Sequence, residues 1–209
     1  MIRVCVEDTC LPATFPHQIG YQDMPAMKKP FPALALFALS LFVIGVHASG
    51  VPEDELKEDG RGIIQDYSNM HEGDDIDWLW VAPGVQLANY RYKLKSARNL
   101  TMRADHDLMN VLKNNFPEQL QRAGSRDANA PTLSVDLAVY WAEHANRAKA
   151  WIPFSGGHLA QAGVGVECIF RDPDGKIVAK IRHAAREGER LEDAGQEVAD
   201  DIAEYVHAN

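Results

Sequence analysis

The chain has 209 residues and a formal net charge of −9. Residues 49–209 carry 18 Lys and Arg against 27 Asp and Glu, so the acidic balance lies in that part, and it disfavours nucleic acid and anionic membrane surfaces as partners. The sequence shows no nucleophile elbow, P-loop, dinucleotide fingerprint or His-Glu-x-x-His pair, so no catalytic residue, metal ligand or cofactor is assigned and the chain is not read as an enzyme.

Lys28 and Lys29 precede an uncharged run from Ala33 to Val46, and Val46-His47-Ala48 supplies small residues at its exit. A basic start, an apolar centre and a small-residue exit together read as a secretory signal over residues 27–48, cut between Ala48 and Ser49. The run is shorter than the ~20 residues a membrane-spanning helix needs, so a membrane is expected only through an uncleaved signal. Residues 1–26 read as an upstream extension, with Met27 as the natural start. Cys5 and Cys10 then drop out and Cys168 stands alone, as a buried small hydrophobe rather than a reactive thiolate. No cysteine follows the apolar run, so lipid attachment at the new N-terminus is not available.

Residues 49–76 are rich in acid (Glu53, Asp54, Glu55, Glu58, Asp59) and read as a mobile N-terminal segment. A single α/β domain is expected over 77–209. Trp78 and Trp80 alternate as in a strand, broken at Pro83-Gly84, and a better strand is expected over Asn89 to Ala97. Asp105 is a good helix cap. Leu108, Met109, Leu112, Phe116, Leu120 and Ala123 then fall on one helical face, which Pro117 is expected to kink or split and Gly124 to end.

Leu133, Val135, Leu137, Val139 and Trp141 alternate with Ser134, Asp136, Ala138 and Tyr140, the period of a strand. Val164, Val166, Cys168 and Phe170 repeat it, with Gly165, Glu167 and Arg171 opposite. Asp172-Pro173-Asp174-Gly175 is a turn, and Ile177, Ala179 and Ile181 complete an antiparallel hairpin. One packed and one wet sheet face are expected. Leu191, Ala194, Val198, Ile202 and Tyr205 mark a closing helix. The order is β-α-β-β-β-α: an α+β, two-layer fold, with two helices on one face of a mixed four-stranded sheet whose first two strands run parallel.

The connection from Glu143 to Ala162 is longer than a hairpin needs. Within it Trp151, Phe154 and His158 are the candidate binding residues, as an exposed docking patch or as aromatics folded over the end of the sheet. Ser155-Gly156-Gly157-His158 with Gly163 and Gly165 reads less as a phosphate loop than as glycines easing a strand bend. His71 with Asp74, Asp75 and Asp77 has metal-ligand residue types, but lacks a calcium-loop pattern and reads as a solvated acidic turn. Asn99-Leu100-Thr101 is a glycosylation sequon.

Trp80-Val81-Ala82-Pro83-Gly84-Val85 with Tyr90, Gly156-Gly157, Gly163-Val164-Gly165-Val166, Phe170-Arg171-Asp172 and Gly175-Lys176-Ile177-Val178-Ala179 carry a resemblance. Over Asp77 to Val206 the chain resembles bacterial envelope proteins grouped as domains of unknown function (the three-three-one-three and four-four-one-zero types), many of them lipoproteins. The resemblance implies an envelope location and no catalytic residue. This chain departs from it in lacking a lipobox cysteine. The expected function is that of a secreted, periplasmic envelope protein that binds or helps assemble another envelope protein. The alternative is a periplasmic module for a small ligand or lipid, using the surface around Trp151 and His158.

Overall fold

Strict alternation along Leu133, Val135, Leu137 and Val139 puts four branched side chains on one face of strand β3, Thr132–Glu143. The computed structural model describes residues 50–146, 148 and 160–209, and these form an α+β fold with a five-stranded mixed sheet and three α-helices. The elements are α1 (Glu53–Glu58), β1 (Trp78–Val81), β2 (Arg91–Asn99), α2 (His106–Ala123), β3, β4 (Gly163–Arg171), β5 (Ile177–Arg186) and α3 (Leu191–Ala208). The strands lie in the order β1-β5-β4-β3-β2. β2 and β3 are parallel around α2, and the other neighbours are antiparallel.

The fifth strand is the difference from the expected four. Trp78 to Val81 pairs with β5 from Trp78↔Arg182 to Val81↔Ala179. It is only four residues long, and Pro83 follows it closely, so its pattern is short in sequence. β2 begins and ends two residues later than expected.

One face of the sheet carries the main core. Val135, Val166, Phe170 and Ile181 meet Leu112, Phe116 and Leu120 of α2 and Val198 and Ile202 of α3. Asp105 caps α2 by accepting a hydrogen bond from the Leu108 amide at 2.9 Å. Pro117 does not split α2, which runs unbroken from His106 to Ala123. The proline removes one donor, and the carbonyl it would have met belongs to exposed Lys113, where water can take its place. Gly124 ends the helix in an extended conformation rather than a left-handed one. A Cβ there would meet the Tyr92 ring at 2.7 Å, so close approach is what requires glycine.

The other face is dry over β1, β5 and β4 rather than wet throughout. The stretch 49–76, read as mobile from its charges, instead lays its described part across β1, β5 and β4. Val51, Leu56, Ile64, Tyr67 and Met70 are buried there with Trp78 and Ile169 as a second core. Each such side chain stabilises by roughly 1.5–3 kcal/mol when buried, which the acidic residues between them do not oppose because they stay at the surface. His71 then forms an antiparallel bridge to Leu79, with both backbone bonds at 2.9 Å, and closes the outer side of β1. β4, at the centre, is consequently buried on both faces.

A register shift between Val139 and Trp141 changes the parity of β3. Trp141, expected beside Val139 in the core, turns to the second face, and Ala142 takes the core position. Its ring stands over Gly163, and the Tyr140 ring over Gly165, where a Cβ would lie 2.6 Å from the phenol carbon. Gly163 and Gly165 are therefore the floor for two aromatic rings.

Candidate functional site

Trp151, Phe154 and His158, together with Ala48 and Ser49, lie outside the described residues. The described chemistry gathers in three other places on the second sheet face and its edges.

The hairpin register sets Glu167 opposite Arg182, and both side chains are fully buried. Arg182 Nη1 donates to Glu167 Oε1 at 2.8 Å. The Tyr67 hydroxyl donates to the same oxygen at 2.8 Å, and the Ile64 amide to Oε2 at 2.8 Å. The Gly62 amide adds a longer bond at 3.3 Å. Glu167 is thus the anchor that holds the 50–77 segment to the sheet. Burial first, and then the Glu167 charge, raise the pKa of the Tyr67 hydroxyl and keep it protonated. The Arg182 guanidinium lies over the Tyr140 ring, 3.6 Å from its centroid. Its Nε sits 3.7 Å from Glu55, and neither Nε nor Nη2 has a hydrogen-bond partner among the described residues. These pairs were legible as charges on alternate strand positions, but an assumed wet face made them look like solvated ones.

Beside this cluster opens a groove of about 480 Å³, walled by Trp78 and Tyr140 and lined by Glu55, Asp59, Glu72 and Asp77. Two of its carboxylates already have fixed partners. The Trp78 indole donates to Glu55 at 3.0 Å, and burial raises the Glu55 pKa. Asp77 accepts from the Ala184 amide at 2.8 Å and lies 3.2 Å from His183 Nδ1. His183 Nε2 lies 2.9 Å from Asp201 of α3. Burial opposes protonation of this imidazole, yet the two carboxylates outweigh it and raise the pKa above the ordinary histidine value. For Asp77, burial pushes upward, but the bond to His183, the His183 charge, the Ala184 amide and Arg182 together more than reverse it, so the pKa is lowered. His183 therefore fastens β5 to the start of β1 and to α3. His71 and Asp74 stay exposed, and no group that could hold a metal ion occurs among the described residues. Cys168 is wholly buried and burial raises its thiol pKa, which keeps the thiolate out of reach.

The third place is the far edge. β2 has β3 on one side and no strand on the other among the described residues. Arg91, Lys93, Lys95 and Arg98 along it are exposed, with Leu94 and Ala97 half-buried. A second groove, of about 510 Å³, runs from this edge onto the open part of the sheet face, lined by Lys93, Lys95, Ser134 and Arg171 among others. Sequence reading gave β2 its place and left its charges unremarked.

No family model matches the chain, and no curated protein is similar to it. Two solved structures of PelC from Paraburkholderia phytofirmans, both dodecamers, align with it. A point variant in space group C2 gives 16% identity and a TM-score of 0.37 over 62% of this chain and 92% of that one. A form in space group P6 gives 14% identity and 0.39, over 63% of this chain and 96% of that one. Likeness of this degree leaves the function of this chain to its own geometry.

Proposed function

We propose that the chain is an exported, periplasmic envelope protein that acts by binding another protein rather than by catalysing a reaction. The export signal over 27–48 motivates the location. The observation that carries the binding reading is the asymmetry of the two sheet edges. β1, four residues long, is bridged at Leu79 by His71, whereas β2 presents nine residues with no strand on their outer side among the described residues, and half-buried Leu94 and Ala97. An open edge offers main-chain donors and acceptors for a partner strand. The ionisable groups of the interior are meanwhile engaged in holding parts of the chain together, with Glu167 accepting from the 50–77 segment and from β5, and both His183 nitrogens facing carboxylates.

Chemical crosslinking in the producing cell tests this reading. A tagged chain released from the periplasm, starting at Ser49 by intact mass and joined to an envelope protein in fixed ratio, is the expected result. A tagged chain that stays in the cytoplasm, or that never enters a crosslinked species, would overturn it.

A second reading has one observation of its own. A cleft of about 330 Å³, with Ile63, Trp80, Ile169 and Ile177 on one part of its wall and Asp66, Asn69, Arg171 and Lys180 on another, suits a small ligand with an apolar body and a polar end. Thermal shift on adding small aromatic or acyl compounds would favour it, with Trp80→Ala removing the shift.

A further inference from the structure

The β2 edge is chemically unlike the rest of the protein. The chain is acidic at −9, yet the outward positions of β2 are Arg91, Lys93, Lys95 and Arg98. Lysine on an edge strand is a common protection against unwanted pairing, and the shift in register between Leu94 and Ser96 adds to that protection. Protection alone does not need a second row of charge. Here the row continues inward. Arg171, two strands away on β4, lines the same groove as Lys93 and Lys95, with the Thr132 and Ser134 positions of β3 on its floor. Arg171 has one carboxylate among the described residues, Asp136, at a loose 3.6 Å. Asp172 on the groove wall accepts from the Lys176 amide at 2.9 Å and supplies one opposing charge there. Lys93, Lys95 and Arg98 have no carboxylate partner among the described residues. The part of this face near Lys93, Ser134 and Arg171 is also one the buried apolar residues of the 50–77 segment do not reach, since they pack with Trp78 of β1 and Ile169 of β4.

Resting on the protein-binding reading, we propose that β2 receives an extended, acidic segment of a partner protein as a sixth strand, its carboxylates seated against Lys93 and Lys95, with Arg171 adding positive charge further in. Main-chain bonds to the open edge give such a complex its register, and the cations select its charge. A strand presents every second side chain to one face. The segment that fits therefore carries Asp or Glu at alternate positions, with the intervening side chains over Leu94 and Ala97. A compact anion such as phosphate could reach the cations but would leave the edge unpaired. A second copy of this chain would have to present an acidic strand edge, and its β1 is closed.

The test uses the mature chain and a fluorescent peptide of alternating Glu and Thr, read by anisotropy. Two control peptides accompany it: one with the same Glu and Thr residues in two blocks, and one of alternating Lys and Thr. The alternating acidic peptide should bind, more weakly as salt is raised, and about tenfold more weakly to Lys93→Glu/Lys95→Glu. Lys93→Gln/Lys95→Gln should weaken it less, and Lys113→Glu on α2 should leave it unchanged, with circular dichroism confirming that each variant is folded. Equal binding of the block peptide, full competition by inorganic phosphate, or indifference to the β2 variants would each overturn the proposal. A photo-crosslinking residue placed in the cell at Lys95, and separately at Glu72, distinguishes its failure from that of the parent reading. Capture through Lys95 of a partner segment with alternating acids supports both. Capture only through Glu72 retains the protein-binding reading and removes this one, and capture from neither site removes both.

Discussion

Replacing His183 by Gln should reveal how much of the fold depends on a charged imidazole. His183 is 8% exposed and faces Asp77 at 3.2 Å and Asp201 at 2.9 Å. Only the imidazolium can donate to both at once. A charge-assisted bond contributes about 1.5–3 kcal/mol. Asp77 is half exposed and Asp201 a third exposed, so screening reduces the pair to about 2–3 kcal/mol together. For a domain of this size that corresponds to roughly 4–12 °C in Tm. The sign follows from the raised pKa. The contribution is complete below the unfolded value of about 6.5 and is lost as pH rises through the folded value, at most about 1.4 kcal/mol per pH unit. On the acid side Asp77 sets the limit. Its pKa is lowered, so its share is present above about 3.9 and is lost as pH falls through the folded value. Other charges near the imidazole are acidic too, with Glu197 on α3 among them. Urea unfolding of wild type and His183→Gln should therefore differ most between about pH 4 and 6.5 and converge on the alkaline side. Two curves that stay parallel from acid to alkali would show that His183 is not charged in the native protein and would refute the reasoning.

Glu167→Gln should destabilise by about 3–5 kcal/mol, because it leaves Arg182 buried against a neutral partner. Glu167→Gln combined with Arg182→Met should then be milder than the sum of the single changes, as coupled residues require; additive losses in urea unfolding would show that the pair is not coupled. Gly165→Ala places a methyl against the Tyr140 ring, which cannot retreat beneath Arg182. A loss of about 1–3 kcal/mol is expected, with a changed near-ultraviolet tyrosine signal, and unaltered stability would mean that the ring is not held there.

Periodicity made the strands β3, β4 and β5 and the two long helices legible, because their apolar residues recur at the spacing the fold uses. The Asp172–Gly175 turn was legible for a local reason: Gly175 takes φ +83° and its amide bonds the Asp172 carbonyl at 3.0 Å. Parity failed at Trp141, where one register shift moved a tryptophan to the other face, and no residue in sequence announces that shift. Charge misled at 49–76. Glu53 to Asp59 suggest a solvated tail, but Val51, Leu56, Ile64, Tyr67 and Met70 are spaced to reach the sheet. That error propagated to the site. With one face taken as wet, Glu167 and Arg182 looked like surface residues, when they are the lock that makes the face dry. The residues at β2 were passed over for the opposite reason, since exposed Lys and Arg are ordinary on a strand and gain meaning only once β2 proves to be the open edge.

Net charge argues against an acidic partner for an acidic protein, and distance resolves the conflict. Acidic groups cluster around β1, with Glu55, Asp59, Glu72 and Asp77 sharing one groove, while the basic row lies on β2. Four strand spacings separate β1 from β2 in the sheet order, which at ~4.8 Å each amounts to roughly 19 Å. Screening reduces the influence of an exposed charge within about 8 Å at physiological salt. A segment approaching β2 therefore meets the local cations, with the carboxylates at the opposite edge more than two screening lengths away. The same separation sets an orientation: a rigid acidic strand is attracted to β2 and repelled at β1, so the charge distribution directs it to the edge that stands open among the described residues.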